Sequence, residues 1–229
     1  MAQNKLPFEI NWGPNGENSQ VIIFSSHTED NLSVYCQQIA KQLRLGFPEL
    51  SEIIPARESI TLVSEITEEL RAPIEQTIQS MSGLGDTASS TSHLIPVCYD
   101  ARVAPDLLEL SERLSMTPEE LSQMHHSATY QVDMLGFIPG FLYLSGLPEQ
   151  LHQARKETPA LSVPPGSVAI GGKQTGIYSL ESPGGWWVIG RTPATLIALD
   201  CVPPMSIEPL DTIRFHSISY EQWQEQQHD

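Results

Sequence analysis

Apolar side chains recur along this chain with two different periods, and the sequence changes character where one gives way to the other. In NLSVYCQQIAKQLRLGF they fall at Leu32, Tyr35, Cys36, Ile39 and Leu43, a spacing of three and four that makes one buried helical face. Gly46 and Pro48 then stop the helix. PFEINWG and QVIIFSS are short apolar runs between turn residues, and ELSEIIPA and SITLVSE read as a strand pair joined across Ala56 to Glu58. EELRAPIEQTIQSM is a second helix, with Pro73 in its first turn or at a kink. SGLGDTASSTS is a loop, and HLIPVCYD a strand that leaves the domain. The order β, α, β, β, α, β over residues 1–100 predicts an α+β domain, a small two-layer sandwich of helices on an antiparallel sheet.

Residues 101–229 begin with two more helices. APDLLELSERL carries Leu107, Leu108, Leu110 and Leu114 for burial. MTPEELSQMHH opens with Thr117 as N-cap, Pro118 at N1 and Glu120 at N3, a capping box written in sequence. From Thr129 the period drops to two. TYQVDML, SVAIGG, GIYSL, WWVIG, TLIAL and DTIRFHSI are short strands bounded by Gly and Pro, the pattern of an all-β barrel or sandwich. SYEQWQEQQH is a polar terminal helix or tail.

Composition sharpens this division. Between Met134 and Pro193 lie 10 of the 15 glycines and 7 of the 18 prolines, interleaved with aromatics, so the segment folds rather than links. It carries four basic residues (Arg155, Lys156, Lys173, Arg191) against three acidic ones (Glu149, Glu157, Glu181), in a chain whose formal net charge is −16. A near-neutral, loop-rich region with a few cations is a place to hold a small anion. The overall charge argues against nucleic acid and anionic membrane surfaces, where binding depends on neutralising phosphates. Three widely spaced cysteines, Cys36, Cys98 and Cys201, point to reduced thiols without a disulfide framework or metal-ligand spacing. MAQNKLPFEINWG reads as neither leader nor anchor, and no apolar run reaches the ~18 residues that span a bilayer. A cytoplasmic location is the expectation.

Several residues carry candidate chemistry. His125 and His126 end a helix, where an imidazole either meets the helix dipole or stands ready for proton transfer. No metal site is expected, since neither has a ligand at zinc spacing. GGKQTG has the composition of an anion nest but not the spacing of a Walker A loop. Gln174 and Thr175 offer an amide and a hydroxyl to a polar ligand. In SPGGWWVIGRTP, Gly184 and Gly185 allow close backbone approach, and Arg191 offers a fork for a carboxylate or phosphate. Trp186 and Trp187 alternate across a strand, so one faces the core and the other a groove or partner. No GxSxG elbow supports a serine hydrolase.

The runs HHSATYQVDMLGFIPGFLYLSGL, PPGSVAIGGKQTGIYSLESPGGWWVIGRTP and IPVCYD…APDL resemble the family of bacterial 5-oxoprolinase B-subunits, also known as allophanate hydrolase subunit 1, which includes the sporulation kinase inhibitor of bacilli. The resemblance covers residues 6 to 217 and implies an N-terminal α/β domain followed by a C-terminal cyclophilin-like β-barrel. It implies a protein that acts with a sister C-subunit of the same family and a third component, with ATP as co-substrate, to open 5-oxo-L-proline to L-glutamate. The family's helix-end histidine falls on His125. Its GF-PGF-YL run is Gly136, Phe137, Pro139, Gly140, Phe141 and Tyr143; its QTGIY run is Gln174 to Tyr178, with Thr175 and Gly176. Its PGGW and GRTP runs are Pro183 to Trp186 and Gly190 to Pro193. Four departures stand out. A PR…PR pattern is Ala154, Arg155 and then Pro159, Ala160, without its second arginine; GPDL is APDL from Ala104; FD after the GRTP strand is replaced by IALD; and a late PGD is Pro209, Leu210, Asp211.

On this reading His125, Arg155 and Gln174 are the catalytic candidates. Gly136, Pro139, Gly140, Gln174, Thr175, Tyr178, Gly184, Gly185 and Arg191 are the substrate-binding candidates. Phe137, Phe141 and Trp187 are expected at the interface with the partner. Two alternatives remain open, a regulatory inhibitor docking on a sensor histidine kinase and a subunit of a urea- or allophanate-type amidohydrolase.

Overall fold

The computed structural model describes residues 8–26, 32–64, 66–81, 90–198 and 200–227. The expected loop over 82–92 lies mostly outside these residues. The chain forms two compact units, Met1–Ser89 and Ser90–Asp229.

The first unit runs β1 (Glu9–Pro14), β2 (Ser19–Ser25), α1 (Leu32–Gly46), β3 (Glu52–Pro55), β4 (Ser59–Val63) and α2 (Glu68–Ser80). Its strands make one antiparallel sheet in the order β1-β2-β4-β3. The predicted face of α1 is buried through Cys36, Ile39, Ala40 and Leu43, against Ile22, Phe24, Ile60 and Leu62 of the sheet and Ile74 and Ile78 of α2. Burying such side chains supplies ~1.5–3 kcal/mol each, which is what holds two short helices on a four-stranded sheet. Pro73 sits in the second turn of an unbroken α2, one turn later than its sequence favoured.

The second unit contains β5 (Ser92–Cys98), α3 (Leu107–Arg113), α4 (Pro118–Ser127), β6 (Thr129–Leu135), β7 (Leu142–Ser145), β8 (Ala160–Val163), β9 (Ser167–Gly171), β10 (Gln174–Ile177), β11 (Ser182–Gly184), β12 (Trp187–Arg191), β13 (Thr212–Ile218) and α5 (Tyr220–Glu225). Among the described residues a closed barrel runs β10-β7-β6-β13-β5-β12-β9, and β8 and β11 pair in a separate ribbon. Inward positions alternate along each strand. Val132, Leu142, Leu144, Val168, Ile170, Ile177, Trp187, Ile189 and Ile213 fill the interior.

Two expectations are corrected here. HLIPVCYD does not close the N-terminal sandwich. As β5 it pairs in parallel with β13 along its whole length and buries Ile95 and Val97 in the barrel. The break therefore falls at 89/90 rather than at 100, because the partner that claims this strand lies over a hundred residues downstream and leaves no local signal. TLIAL is irregular through its described residues rather than a strand, since the barrel closes without it. The capping box of α4 is present as read: Thr117 accepts from the Glu120 amide, and Glu120 accepts from the Thr117 amide. Helix α3 is fastened to β12 through Asp106. Its carboxylate accepts from the Val188 amide at 2.7 Å and from Lys156 Nζ at 2.8 and 2.9 Å.

Candidate functional site

The outer face of the barrel carries an aromatic tray. Ala169, Gly171, Gly176 and Tyr143 point outward, opposite their inward neighbours. The Trp186 indole lies directly on glycine backbone, for a Cβ added at Gly171 would stand 2.5 Å from the ring and one at Gly176 3.0 Å from it. Phe141 and Tyr143 meet the indole edge to face at 5.6 and 5.7 Å. Tyr178 packs on Phe141 at 4.9 Å, and its hydroxyl reaches the backbone beside Gly184, where a Cβ would lie 2.2 Å from it. Gly185 accepts from the Lys156 amide. Phe137, held at φ 68 in the turn between Gly136 and Phe141, projects over this cluster and is 62% exposed. The exposed Arg155 guanidinium lies 5.7 Å above the Trp186 ring.

Gln174 lies on the same strand face, two residues before Gly176. Its amide donates to Asp133 Oδ2 at 3.1 Å, and Ser145 donates to Oδ1 at 2.7 Å. Asp133, fully buried, sits where the β6–β7 register shifts between Val132 and Met134, a bulge of the kind that re-aims a side chain. It is absent from the sequence candidates. The signal available was an acid inside the apolar strand TYQVDML.

At the rim of the barrel the same motifs build a cleft of about 270 Å³, lined by Pro165, Gly166, Tyr178, Ser179, Arg191, Thr192, residues 193–196, Gln226 and Gln227. Three chain segments are tied together there: Gly166 donates to the Tyr178 carbonyl at 2.7 Å, and Thr192 to the Gly166 carbonyl at 2.8 Å. Ser179 donates to the Pro139 carbonyl at 2.5 Å, which brings in the PGF turn, and the Gly140 backbone packs against Ser179 and Ile197. Arg191 Nε donates to the Pro165 carbonyl at 3.0 Å, leaving both Nη groups for a ligand. Half-buried cations are few among the described residues. Arg71 pairs with Glu75 and Lys156 with Asp106, whereas Arg191 has no carboxylate partner among the described residues. Burial draws its pKa below the usual guanidinium value, yet a guanidinium stays charged. A half-dry guanidinium with both Nη groups open can pair with a carboxylate or phosphate.

The other expected site residues separate from this cleft. His125 lies on the inner face of α4 with Leu121, one turn before it. It is fully buried and stacked on Phe215 at 5.0 Å. Thr175 gives its hydroxyl proton to the Ala169 carbonyl at 3.0 Å, so His125 Nε2 donates to Thr175 Oγ1 at 2.9 Å. Nδ1 then accepts from the Tyr99 hydroxyl at 2.8 Å. Both nitrogens are used, and burial pushes the imidazole pKa down to about 3. The expectation of His125 as a proton carrier gives way to a neutral, hydrogen-bonded core histidine, and Thr175 is its partner rather than a ligand contact. Trp187 and Phe141, expected at a partner interface, are 4% and 2% exposed. Trp187 fills the barrel with its N–H on the Ala154 carbonyl at 2.7 Å. The outward indole is Trp186, one residue earlier. Among the described residues no group of three or more His, Cys, Asp or Glu is placed to hold a metal ion, and no helix is long and apolar enough to cross a membrane.

The carboxyltransferase domain family, subdomain C and D, matches residues 10–207. Proteins named as the B-subunit of 5-oxoprolinase are similar to the chain. The one from Escherichia coli O157:H7 is 37% identical over 180 residues, 78% of this chain and 82% of that protein. The one from Bacillus subtilis (strain 168) is 31% identical over 219 residues, 89% and 91%. Among solved structures, a conserved uncharacterized protein from Pyrococcus horikoshii aligns with a TM-score of 0.56 at 31% identity, covering 93% of this chain and all of the other. Kluyveromyces lactis urea carboxylase aligns with a TM-score of 0.76 over 94% of this chain and 22% of its own length. At 16% identity it shows the fold alone.

Proposed function

We propose, because the chain belongs to the carboxyltransferase family of subdomains C and D and within it to the 5-oxoprolinase B-subunits, that it is the component of an ATP-dependent lactam hydrolase that holds 5-oxo-L-proline by its carboxylate. The observation that supports this most is Arg191, a half-buried cation with no acidic partner among the described residues, lining a small cleft. Opening an unstrained lactam with water is slow. Transfer of the ATP γ-phosphoryl group to the amide oxygen makes an activated carbonyl carbon. ADP leaves at that transfer; water adds to the carbon and the C–N bond breaks, the freed amine taking up a proton, to give γ-glutamyl phosphate, and a second water hydrolyses this acyl phosphate to L-glutamate and phosphate. In this reading the chain contributes binding and orientation. Arg191 takes the carboxylate through its two Nη groups, and the tray of Phe137, Tyr143, Trp186, Arg155 and Gln174 faces a sister subunit that completes the pocket. ATP is bound in the assembled complex with the third component.

The cleft also bears on the alternatives. Urea has no carboxylate and leaves Arg191 unpaired, whereas allophanate carries a carboxylate and would meet the same fork. A kinase inhibitor would rest on an exposed aromatic anchor, and of the three expected only Phe137 is exposed.

The first prediction is that the purified chain alone releases no glutamate from 5-oxo-L-proline and ATP, and that release appears when sister subunit and third component are added. Omission of each component in turn, with glutamate measured, checks this. Full ATP-dependent turnover by the chain alone would overturn it.

A further inference from the structure

The C-terminal helix α5 lies beyond the stretch that matches the family, which ends at residue 207, and it is joined to the Arg191 cleft by a stack of two rings between two cations. The Arg102 guanidinium lies 3.6 Å over the Tyr220 ring. Tyr220 stacks on Trp223 at 5.7 Å with the planes 23° apart, and the Arg191 guanidinium lies 5.4 Å over Trp223. Arg102 is itself fixed by Asp100 at 2.6 and 2.7 Å. The helix that presents these rings is capped at its start by Ser219 and Gln222, and just past its end Gln226 and Gln227 form part of the cleft wall.

We infer that Trp223 is a positioning residue for ligand binding: its ring face fixes the plane of the Arg191 guanidinium and so preorients the cleft as an anion site. This rests on the reading of Arg191 as the carboxylate contact. Two features of Trp223 argue for it. The residue is 8% exposed, and its indole N–H is buried with no hydrogen-bond partner among the described residues. A group placed to satisfy its N–H would not sit so, and an aromatic face is what the position retains. The fork of Arg191 is thereby held at two points, Nε on the Pro165 carbonyl and the guanidinium face on Trp223. Only its outer edge is left to vary. A flexible cation loses orientational freedom when it binds, and one already oriented loses less.

Calorimetric binding of 5-oxo-L-proline to the assembled complex tests this. Trp223→Leu keeps apolar bulk and removes the ring face, and weakens binding by roughly three- to tenfold. Trp223→Phe restores the face without the unpaired N–H, and binds within about twofold of wild type with an unfolding midpoint no lower. Thermal unfolding of both variants separates a lost fold from a lost contact. Equal binding by the wild type and Trp223→Leu overturns the inference while leaving the Arg191 reading standing. Equal weakening in Trp223→Phe and Trp223→Leu also overturns it, because the ring face would then not be what acts. Absence of binding in the wild-type complex instead overturns the carboxylate reading beneath it.

Discussion

Leu210 holds φ 76 at the place where the resembling family carries the glycine of PGD. The left-handed backbone costs a side-chain-bearing residue ~1–2 kcal/mol, and burying a leucine returns ~1.5–3 kcal/mol. With 9% of the residue exposed, burial outweighs strain. Substitution should therefore invert the usual order. Leu210→Ala keeps the strain and loses the burial, whereas Leu210→Gly loses the burial and relieves the strain. Urea unfolding should find the alanine variant the less stable by ~1 kcal/mol. An alanine variant equal to or more stable than the glycine one would contradict the account. His125 gives a second prediction at this scale. Its folded pKa of about 3 lies below the unfolded value of 6.5, so between those limits the unfolded chain binds a proton that the folded chain does not. Its contribution is complete above pH 6.5 and is lost as the pH falls, at up to ~1.4 kcal/mol per unit. Asp100, held down to about 2 by Arg102, and Asp211, also lowered, extend the loss below pH 4. Unfolding midpoints measured from pH 7 to 4 should fall steeply in the wild type and less in His125→Asn. Identical slopes would mean that His125 is charged in the folded chain.

Among the elements, Asp106 joins α3, β12 and the chain at Lys156 through one carboxylate. The pair is largely buried, with side chains 17% and 14% exposed. Removing one partner leaves an uncompensated charge, so Asp106→Ala should cost ~3–5 kcal/mol. Asp106→Asn, which keeps an acceptor for the Val188 amide, should cost less. Chemical denaturation of the second unit measures both, and a near-neutral Asp106→Ala would show the pair to be solvated. What the sequence disclosed follows the range of the forces involved. Helix α4 was legible because Thr117, Pro118 and Glu120 act within one turn, and α1 because its stripe is local. The allegiance of β5 was not, since parallel pairing with β13 is a long-range fact. Nor was the phase of the tryptophan pair. Alternation says that Trp186 and Trp187 face opposite ways, but which way depends on the glycine floor at 171 and 176 and on the register of β12 with β9. Of the candidate residues, Tyr178 and Arg191 line one cleft, and Gly140 packs beside it against Ser179. His125 fell to the interior because its i, i+4 partner is Leu121, and the acid in TYQVDML, though visible, gave no hint of the bulge that re-aims Asp133, because that depends on the register with β7.

At the scale of the whole molecule, a formal charge of −16 opposes anions at long range, with screening beyond ~8–10 Å at physiological salt. Anion binding in such a chain must be local. The one half-buried cation without a carboxylate partner among the described residues supplies it, at the rim of the second unit. The account thus makes Arg191 the contact that distinguishes a carboxylate-bearing lactam from a neutral amide. Steady-state kinetics of the reconstituted complex carrying Arg191→Lys test this most directly. Lysine keeps the charge and loses the paired geometry, so KM for 5-oxo-L-proline should rise by about tenfold, the equivalent of ~1.4 kcal/mol, with kcat near the wild-type value. An unchanged KM in a folded, assembled complex would contradict the account.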